Sequence, residues 1–166
     1  MPVSLRNGLV VELRPIRPDD KTELASALDR LSPESRRRRF LTAKPRFTSG
    51  ELRYLTEVDG ENHVALVAVT PDGHIAGVGR FVRLPEAPET AEFAIVVGDA
   101  VQGQGLGSAL AVALADAARA RGVRRFAATA LSDNVAVHRL LRTIAGRLEP
   151  ARRGGGIDEF VAELAA

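Results

Sequence analysis

The sequence predicts a single domain of the α/β (α+β) class, with a mixed, mostly antiparallel central sheet flanked by helices. Three observations favour this fold class. The chain has 166 residues, 45% hydrophobic and 27% charged, a balance that fits one compact core. Segments with apolar residues at alternate positions are interspersed with segments at helical spacing. Proline, glycine or aspartate bounds most of them. We therefore expect one domain over residues 1–166.

The first third of the chain is predicted to hold one strand and three helices. Apolar residues alternate with polar ones from Leu9 to Pro15, which is typical of a strand. Asp19 or Asp20 is expected to cap the first helix. The second helix begins after Ser32, with a proline in its first turn, and residues 48–55 form a third.

The remaining elements alternate between strands and helices. A hairpin is predicted over 63–70 and 75–84, since Pro71-Asp72-Gly73 lies between its two strands. A fourth strand follows the hairpin directly. The later elements are a long helix, a strand, a second helix and a strand pair. The strand after the hairpin is expected over 90–97 and the long helix over 106–122. The next strand is expected over 125–131 and the second helix over 134–145, and the last two strands flank 154–156.

Composition excludes several function classes. The formal charge is only +2, so bulk binding to nucleic acid is not implied. Cysteine is absent, which excludes disulfides, thiolate metal sites and a cysteine nucleophile. The three histidines, His63, His74 and His138, lack the close spacing of metal ligands, so we expect no metal. No apolar stretch is long enough for a signal peptide or a membrane span, which predicts a cytoplasmic protein without membrane contacts.

A glycine-rich turn between a predicted strand and a predicted helix is the most informative segment. It reads Gln102-Gly103-Gln104-Gly105-Leu106-Gly107-Ser108. Alternating glycines leave backbone N–H groups unobstructed, and the helix dipole adds positive potential there. The expected ligand is a pyrophosphate, whereas a plain tight turn would need only one or two glycines.

Two common nucleotide-binding motifs do not fit this turn. A P-loop would end in Gly-Lys-Ser or Gly-Lys-Thr, and neither is present. The dinucleotide fingerprint would need a third glycine where Ser108 stands, and an acidic residue at the end of the next strand. The pattern that fits is Gln/Arg-x-x-Gly-x-Gly/Ala, carried by Gln102, Gly105 and Gly107.

With this turn after the predicted fourth strand, and with Asn134 opening the helix that follows the next strand, the sequence resembles the GNAT superfamily of acyl-CoA-dependent N-acyltransferases over nearly its whole length. Leu13 to Asp20, Leu31 to Ser35 and Val58-Asp59 are similar to the catalytic domain of bacterial protein lysine acetyltransferases. That branch often carries a further regulatory or synthetase module, and we expect this chain to stand without one.

The resemblance implies a set of coenzyme-binding residues. The backbone of Ile95, Val96 and Val97 would line the acyl and pantetheine arm, with the Val97 N–H as the oxyanion donor. Asn134 would contact that arm, although it can equally be a helix cap. The pyrophosphate would lie on the turn, whose residues are Gln102, Gly103, Gln104, Gly105, Leu106, Gly107 and Ser108.

Transfer to an amine needs an unprotonated nitrogen, and a lysine-like amine is unprotonated only about once in 2,500 molecules at pH 7. Glu92 is the leading candidate base, because strand parity places it with Ala94 and Val96 and because partial burial would raise its pKa. The resemblance implies that a glutamate here acts through water; the alternative is an ordinary solvated carboxylate. His63 and His74 are weaker candidates, and His138 is expected on a helix surface.

The sequence leaves several alternatives open. Many family members have a tyrosine seven residues after the asparagine as a general acid, and here that position is Leu141. Arg36 to Arg39 are either a solvated helix pairing with Glu34 or a recognition surface for an acidic acceptor. The predicted function is acetyl transfer from acetyl-CoA to a protein lysine or small amine by direct transfer, and the alternative is a non-catalytic acyl-CoA-binding sensor or interaction module. A homodimer also stays open.

Overall fold

The computed structural model describes residues 1–166 and contains eight strands and five helices. The strands are β1 (Pro2–Ser4), β2 (Val10–Pro15), β3 (His63–Val69), β4 (Ile75–Leu84), β5 (Ala87–Val97), β6 (Arg125–Leu131), β7 (Ala145–Gly154) and β8 (Ile157–Leu164). The helices are α1 (Lys21–Arg30), α2 (Pro33–Phe40), α3 (Ser49–Thr56), α4 (Leu106–Arg119) and α5 (Val135–Ile144). None of the helices is long and apolar enough to span a membrane.

One mixed sheet contains all eight strands, in the order β1-β2-β3-β4-β5-β6-β8-β7. Every neighbouring pair is antiparallel except β5 and β6, which run parallel and are joined by α4. The predicted fold class is confirmed, and the predicted strands and helices occur in the predicted order. The sequence analysis missed β1, a three-residue edge strand that pairs with β2.

The two faces of the sheet carry different helices. Helices α4 and α5 cover one face, where Phe81, Phe93 and Phe126 pack against Leu114 and Leu141. Their rings are stacked or tilted with centroids 5.0 to 5.7 Å apart. The other face packs against α1 and α3 through a smaller cluster containing Leu24, Val67 and Val78, and we call it the α1–α3 face. Burial of side chains on both faces stabilises the sheet by removing apolar area from water.

The local signals at the helix starts are partly confirmed. Ser32 caps α2 by accepting the Ser35 N–H at 3.1 Å, with Pro33 in the first turn. Asp20 does not cap α1 with its side chain, contrary to prediction. It accepts two 2.8 Å hydrogen bonds from Arg14 and one from the Arg17 N–H, because a 3₁₀ turn precedes the helix. The bonds from Arg14 lower the pKa of Asp20 below its usual value.

Candidate active site

The parallel strands β5 and β6 pair over only three residues and then part. The last paired residues are Glu92 on β5 and Ala127 on β6. Strand β5 continues to Val97 along β4, and β6 continues to Leu131 along β8. A wedge-shaped opening therefore lies between two strands in the middle of the sheet, and α2 contacts both of its sides.

The backbone of β5 presents alternate residues to this opening. The Gly98 N–H donates to the Ala76 carbonyl of β4 at 2.8 Å, and the β4–β5 register is regular over the last residues of β5. In an antiparallel ladder the direction of the backbone groups alternates, so Val96 bonds to β4. The N–H groups of Ile95 and Val97 point into the opening and have no strand partner. The expectation for Val96 is thus wrong at the backbone level, because its N–H is already used within the sheet.

The glycine-rich turn lies at the wide end of the opening and leads into α4. The first intrahelical bond is from the Ala109 N–H to the Gly105 carbonyl at 3.1 Å. The N–H groups of Leu106, Gly107 and Ser108 consequently have no intrahelical partner, and the positive end of the helix dipole lies among them. This is the donor set that suits a pyrophosphate.

The three glycines of the turn serve two purposes. Gly103 and Gly105 have positive φ angles of 73° and 94°, and a Cβ at either position would meet nothing within 4 Å. The space above them is open, as a phosphate cradle requires. Gly107 differs from the prediction, because a Cβ there would lie 3.3 Å from Leu140 and 3.7 Å from Val97. It therefore allows α4 to approach α5 and β5, while its N–H still faces the turn.

Gln102, the first residue of the motif, connects the turn to β5 and α2. Its Nε2 donates to the Val97 carbonyl at 3.0 Å and to the Ser35 Oγ at 3.1 Å. Asp99 accepts bonds from the Ser32 N–H, the Ser32 hydroxyl and the Ser35 hydroxyl at 2.7 to 2.9 Å. Desolvation of Asp99 opposes its ionisation, but these bonds outweigh it and lower the pKa of Asp99. The start of α2 is thereby fixed beside the turn.

Arg6 also supports the turn, and the sequence analysis missed it. The Arg6 N–H donates to the Gln104 carbonyl at 3.0 Å, and Nη1 donates to the Gly103 carbonyl at 3.1 Å. No motif marks this residue, since nearly a hundred positions separate it from its partners. It adds an exposed cation beside the cradle, which favours an anionic ligand there.

Glu92 lies at the narrow end of the opening, on the α1–α3 face. In register it stands in a row with Val82 of β4 and His63 of β3. Its side chain is exposed and makes no ion pair within the chain. The predicted partial burial is wrong, because none of the helices on this face covers the row at Glu92.

Asn134 and Leu141 occupy the next helix. The Asn134 Oδ1 accepts the Val137 N–H at 3.3 Å, so the residue caps α5 as the alternative interpretation predicts. Leu141 is completely buried in the core beneath α5, and no general acid acts from that position. The single tyrosine, Tyr54, is 58% exposed on α3, with its ring 4.9 Å from that of His63.

The histidines have structural roles. His63 is 9% exposed, and its Nε2 lies 2.9 Å from the Nη1 of Arg80, which is also buried. Desolvation, followed by the charge of Arg80, lowers the pKa of His63 to about 4. The ring is therefore neutral, and its Nε2 accepts a hydrogen bond from the Arg80 guanidinium, which removes it as a candidate base. His74 is exposed near Glu23. His138 packs edge-on against Phe160 at 4.5 Å and so is not the plain surface residue that we expected.

Comparisons with known proteins show the family and the fold of the chain. The model of the acetyltransferase (GNAT) family matches residues 26–146. The acetyltransferase Pat of Mycolicibacterium smegmatis is 38% identical over 145 residues, which are 85% of this chain and 42% of that protein. The crystal structure of the GNAT domain of S. lividans PAT is 31% identical with a TM-score of 0.88, and the match covers 99% of this chain and 96% of that one.

Other solved relatives are longer or more distant. A cAMP-binding acyltransferase from Mycobacterium smegmatis is 31% identical with a TM-score of 0.67, and the match covers all of this chain and 47% of the other. The chain thus spans less than half the length of the M. smegmatis proteins it matches. A Salmonella typhimurium acetyltransferase solved with acetyl-CoA shares the fold at 21% identity, a TM-score of 0.70 and coverage of 93% and 92% of the two chains.

Replacing Gly105 by glutamate tests the phosphate cradle. The side chain would occupy the open space above the turn and place a carboxylate where a pyrophosphate is expected. We expect Gly105→Glu to raise the Kd for coenzyme A roughly 100-fold or more, measured by calorimetry. Gly122→Glu is the matched control, since Gly122 also has a positive φ of 76° and open space but lies at the other end of α4. Equal losses in both variants would mean that backbone strain is the cause.

The neutral state of His63 predicts a pH dependence of stability. The ordinary histidine pKa of 6.5 in the unfolded chain exceeds the value of about 4 in the folded protein. Between these values the unfolded chain binds the extra proton, so stability falls as the pH decreases. The wild type should lose about 2 kcal/mol more between pH 7 and pH 5 than His63→Gln, measured by urea unfolding. His74→Gln serves as the exposed control and should follow the wild type.

Proposed function

Because the chain belongs to the GNAT family of acetyltransferases, we propose that it transfers an acetyl group directly from acetyl-CoA to a primary amine, of a protein lysine or of a small molecule. The opened edge of β5 is the observation that carries this proposal. It places free N–H groups of Ile95 and Val97 in line with the free N-terminus of α4, which is the arrangement an extended thioester with a pyrophosphate needs. We also propose that residues 1–166 act as one domain.

Each part of the coenzyme has a proposed set of partners in the chain. The turn from Gly103 to Ser108 holds the pyrophosphate through N–H groups, with Arg6 beside it. Ile95 and Val97 bind the pantetheine arm in the manner of an added strand. Asn134 faces the same arm while it caps α5. Gln102 donates to the Val97 carbonyl and thereby keeps the Val97 N–H oriented towards the arm.

The thioester supplies the acetyl group and a thiolate leaving group. The Val97 N–H donates to the carbonyl oxygen on which negative charge develops, and a fixed donor of this kind lowers the barrier. The chain has no cysteine, so the amine attacks directly and no acyl-enzyme forms through a thiol. Water protonates the leaving thiolate, since Leu141 stands where a tyrosine would act.

Glu92 is proposed as the base that accepts the amine proton. Its carboxylate is exposed at the narrow end of the opening, on the face from which an amine can approach Val97. Exposure favours proton transfer through a bound water, because no covering element holds the amine in direct contact. The structural role of His63 supports this assignment by removing the nearest other candidate.

Thioester consumption tests the proposed function. The protein is incubated with acetyl-CoA and a panel of small amines and lysine peptides, and free thiol is measured with and without each acceptor. We expect acceptor-dependent release of thiol and acetylated product by mass spectrometry. Tight coenzyme binding without turnover across the panel would instead favour an acyl-CoA-binding sensor.

Replacing Glu92 by glutamine tests the base. Glu92→Gln should leave the Kd for acetyl-CoA unchanged and lower kcat about 100-fold at pH 7. The deficit should shrink towards pH 10, where the amine loses its proton without help. Glu89→Gln is the control, because Glu89 is an exposed carboxylate three residues before Glu92 on the same strand. A wild-type pH profile for Glu92→Gln would show that another group or bulk water accepts the proton.

A further inference from the structure

Arg80 is the one arginine in the buried class, and it lies beside the proposed reaction centre. It is 6% exposed and sits on the α1–α3 face of β4. In register it stands between Ala65 of β3 and Ala94 of β5. Both register partners have small side chains, and the adjacent row of the sheet contains Glu92.

No carboxylate compensates the charge of Arg80. Its Nη1 donates to the Leu55 carbonyl at 3.1 Å and to the neutral His63 ring at 2.9 Å. Both acceptors are uncharged. The Nε and Nη2 groups have no partner in the chain, and neither is sealed from solvent. A buried cation without a counterion is costly, so these free donors mark a place for an anion.

A second unpaired arginine faces the same region from α2. Arg39 makes no ion pair, lies 4.8 Å over the Phe40 ring, and is partly buried. Desolvation of Arg80 is the main cause that lowers its pKa to about 10, and the charge of Arg39 lowers this pKa further. By contrast, Arg38 is paired with Glu34 at 2.8 Å, and Arg36 donates to backbone carbonyls. Arg80 and Arg39 therefore lie close enough to repel each other, and neither forms an ion pair with a carboxylate of the chain.

Glu92 does not fill this role. It is the acidic residue of the neighbouring row, but no nitrogen of Arg80 approaches it within ion-pair distance. Ala94, the register partner of Arg80, lies two residues from Glu92 on β5, and such positions are about 7 Å apart. A ligand with an amine at Glu92 and an anionic group about that distance away would therefore contact both charges. Guanidinium groups bind carboxylates in a planar, two-bond geometry, which Nε and Nη2 can provide.

We propose that Arg80 and Arg39 form a carboxylate-binding subsite that selects acceptors with a carboxylate close to the reactive amine. The inference rests on the proposed acetyl transfer and specifies its acceptor. The carboxylate comes from an acidic residue next to a target lysine, or from an amino acid whose own carboxylate lies near its side-chain amine. The subsite would explain why two cations remain unpaired on the face that carries the proposed base.

Matched acceptors test this subsite in the full chain. One pair is a lysine peptide with glutamate on both sides of the lysine and the same peptide with glutamine. A second pair is free lysine and lysine amide, which distinguishes a terminal carboxylate from a side-chain one. For the wild type we expect kcat/KM to be at least about tenfold higher for the acidic member of one pair.

Arg39→Gln and Arg80→Lys separate the subsite from the general positive charge of α2. Arg39→Gln should reduce the preference to less than about threefold through KM, with the KM for acetyl-CoA unchanged. Arg80→Lys keeps the charge but loses the two-bond geometry, and it should give an intermediate preference. Arg37→Gln is the matched control, since Arg37 is exposed on the same helix without an ion-pair partner, and it should behave as wild type. If Arg80→Lys does not fold, Arg39→Gln against Arg37→Gln still decides the question.

Three results would overturn the subsite. They are equal kcat/KM for both members of each pair, an equal loss of preference in Arg37→Gln and Arg39→Gln, and a selective loss of activity with succinyl-CoA relative to acetyl-CoA in Arg39→Gln while its acceptor preference is unchanged. The last would place the cations at the acyl group. Absence of turnover with every acceptor would contradict the proposed acetyl transfer itself, and is thus distinguishable.

Discussion

The parting of β5 from β6 after Glu92 and Ala127 is the feature on which the rest of the site depends. A continuous sheet would satisfy the N–H groups of Ile95 and Val97, and the cost of leaving such groups unpaired away from water is considerable. Here they line an accessible opening that a ligand can complete. The opening also sets the position of α4, because the chain must cross from the end of β5 to the start of β6.

Hydrogen bonds from three segments keep the opening in place. Gln102 holds the Val97 carbonyl, Asp99 holds the first turn of α2, and Arg6 holds the carbonyls of the glycine-rich turn. These residues lie far apart in the sequence, so the turn is fixed from the side of the N-terminus and from α2 as well as by its own glycines. A preorganised turn binds an anion without a further loss of backbone conformational entropy.

The two faces of the sheet differ in role: the face under α4 and α5 contains the larger apolar core, and the α1–α3 face contains the proposed acceptor site. The face under α4 and α5 is closed by aromatic and leucine side chains, and its buried Asp158, at the start of β8, accepts a 3.0 Å hydrogen bond from the Ser132 hydroxyl. The α1–α3 face has a smaller apolar cluster, and the buried pair of His63 and Arg80 lies there together with the exposed Glu92. The buried cation of Arg80, which no carboxylate neutralises, thus lies on the face from which an acceptor is proposed to approach.

The sequence predicts much of this arrangement, since periodicity and breakers mark nearly every strand and helix and the glycine spacing marks the coenzyme turn. It does not predict features that depend on long-range contacts. No local motif marks Arg6, because only the fold brings it into contact with the glycine-rich turn. The packing role of Gly107, the exposure of Glu92 and the pairing of His63 with Arg80 all follow from register between distant strands, which local spacing does not encode.

The most direct measurement is the response of individual β5 amides to coenzyme A, followed by NMR with hydrogen exchange. The account predicts that Ile95 and Val97 exchange rapidly in the free protein and become protected when the coenzyme binds. Val96, which already bonds to β4, should be protected in both states. Protection of Ile95 and Val97 in the free protein, or no change at either amide under saturating coenzyme, would contradict a coenzyme site at the parted strands.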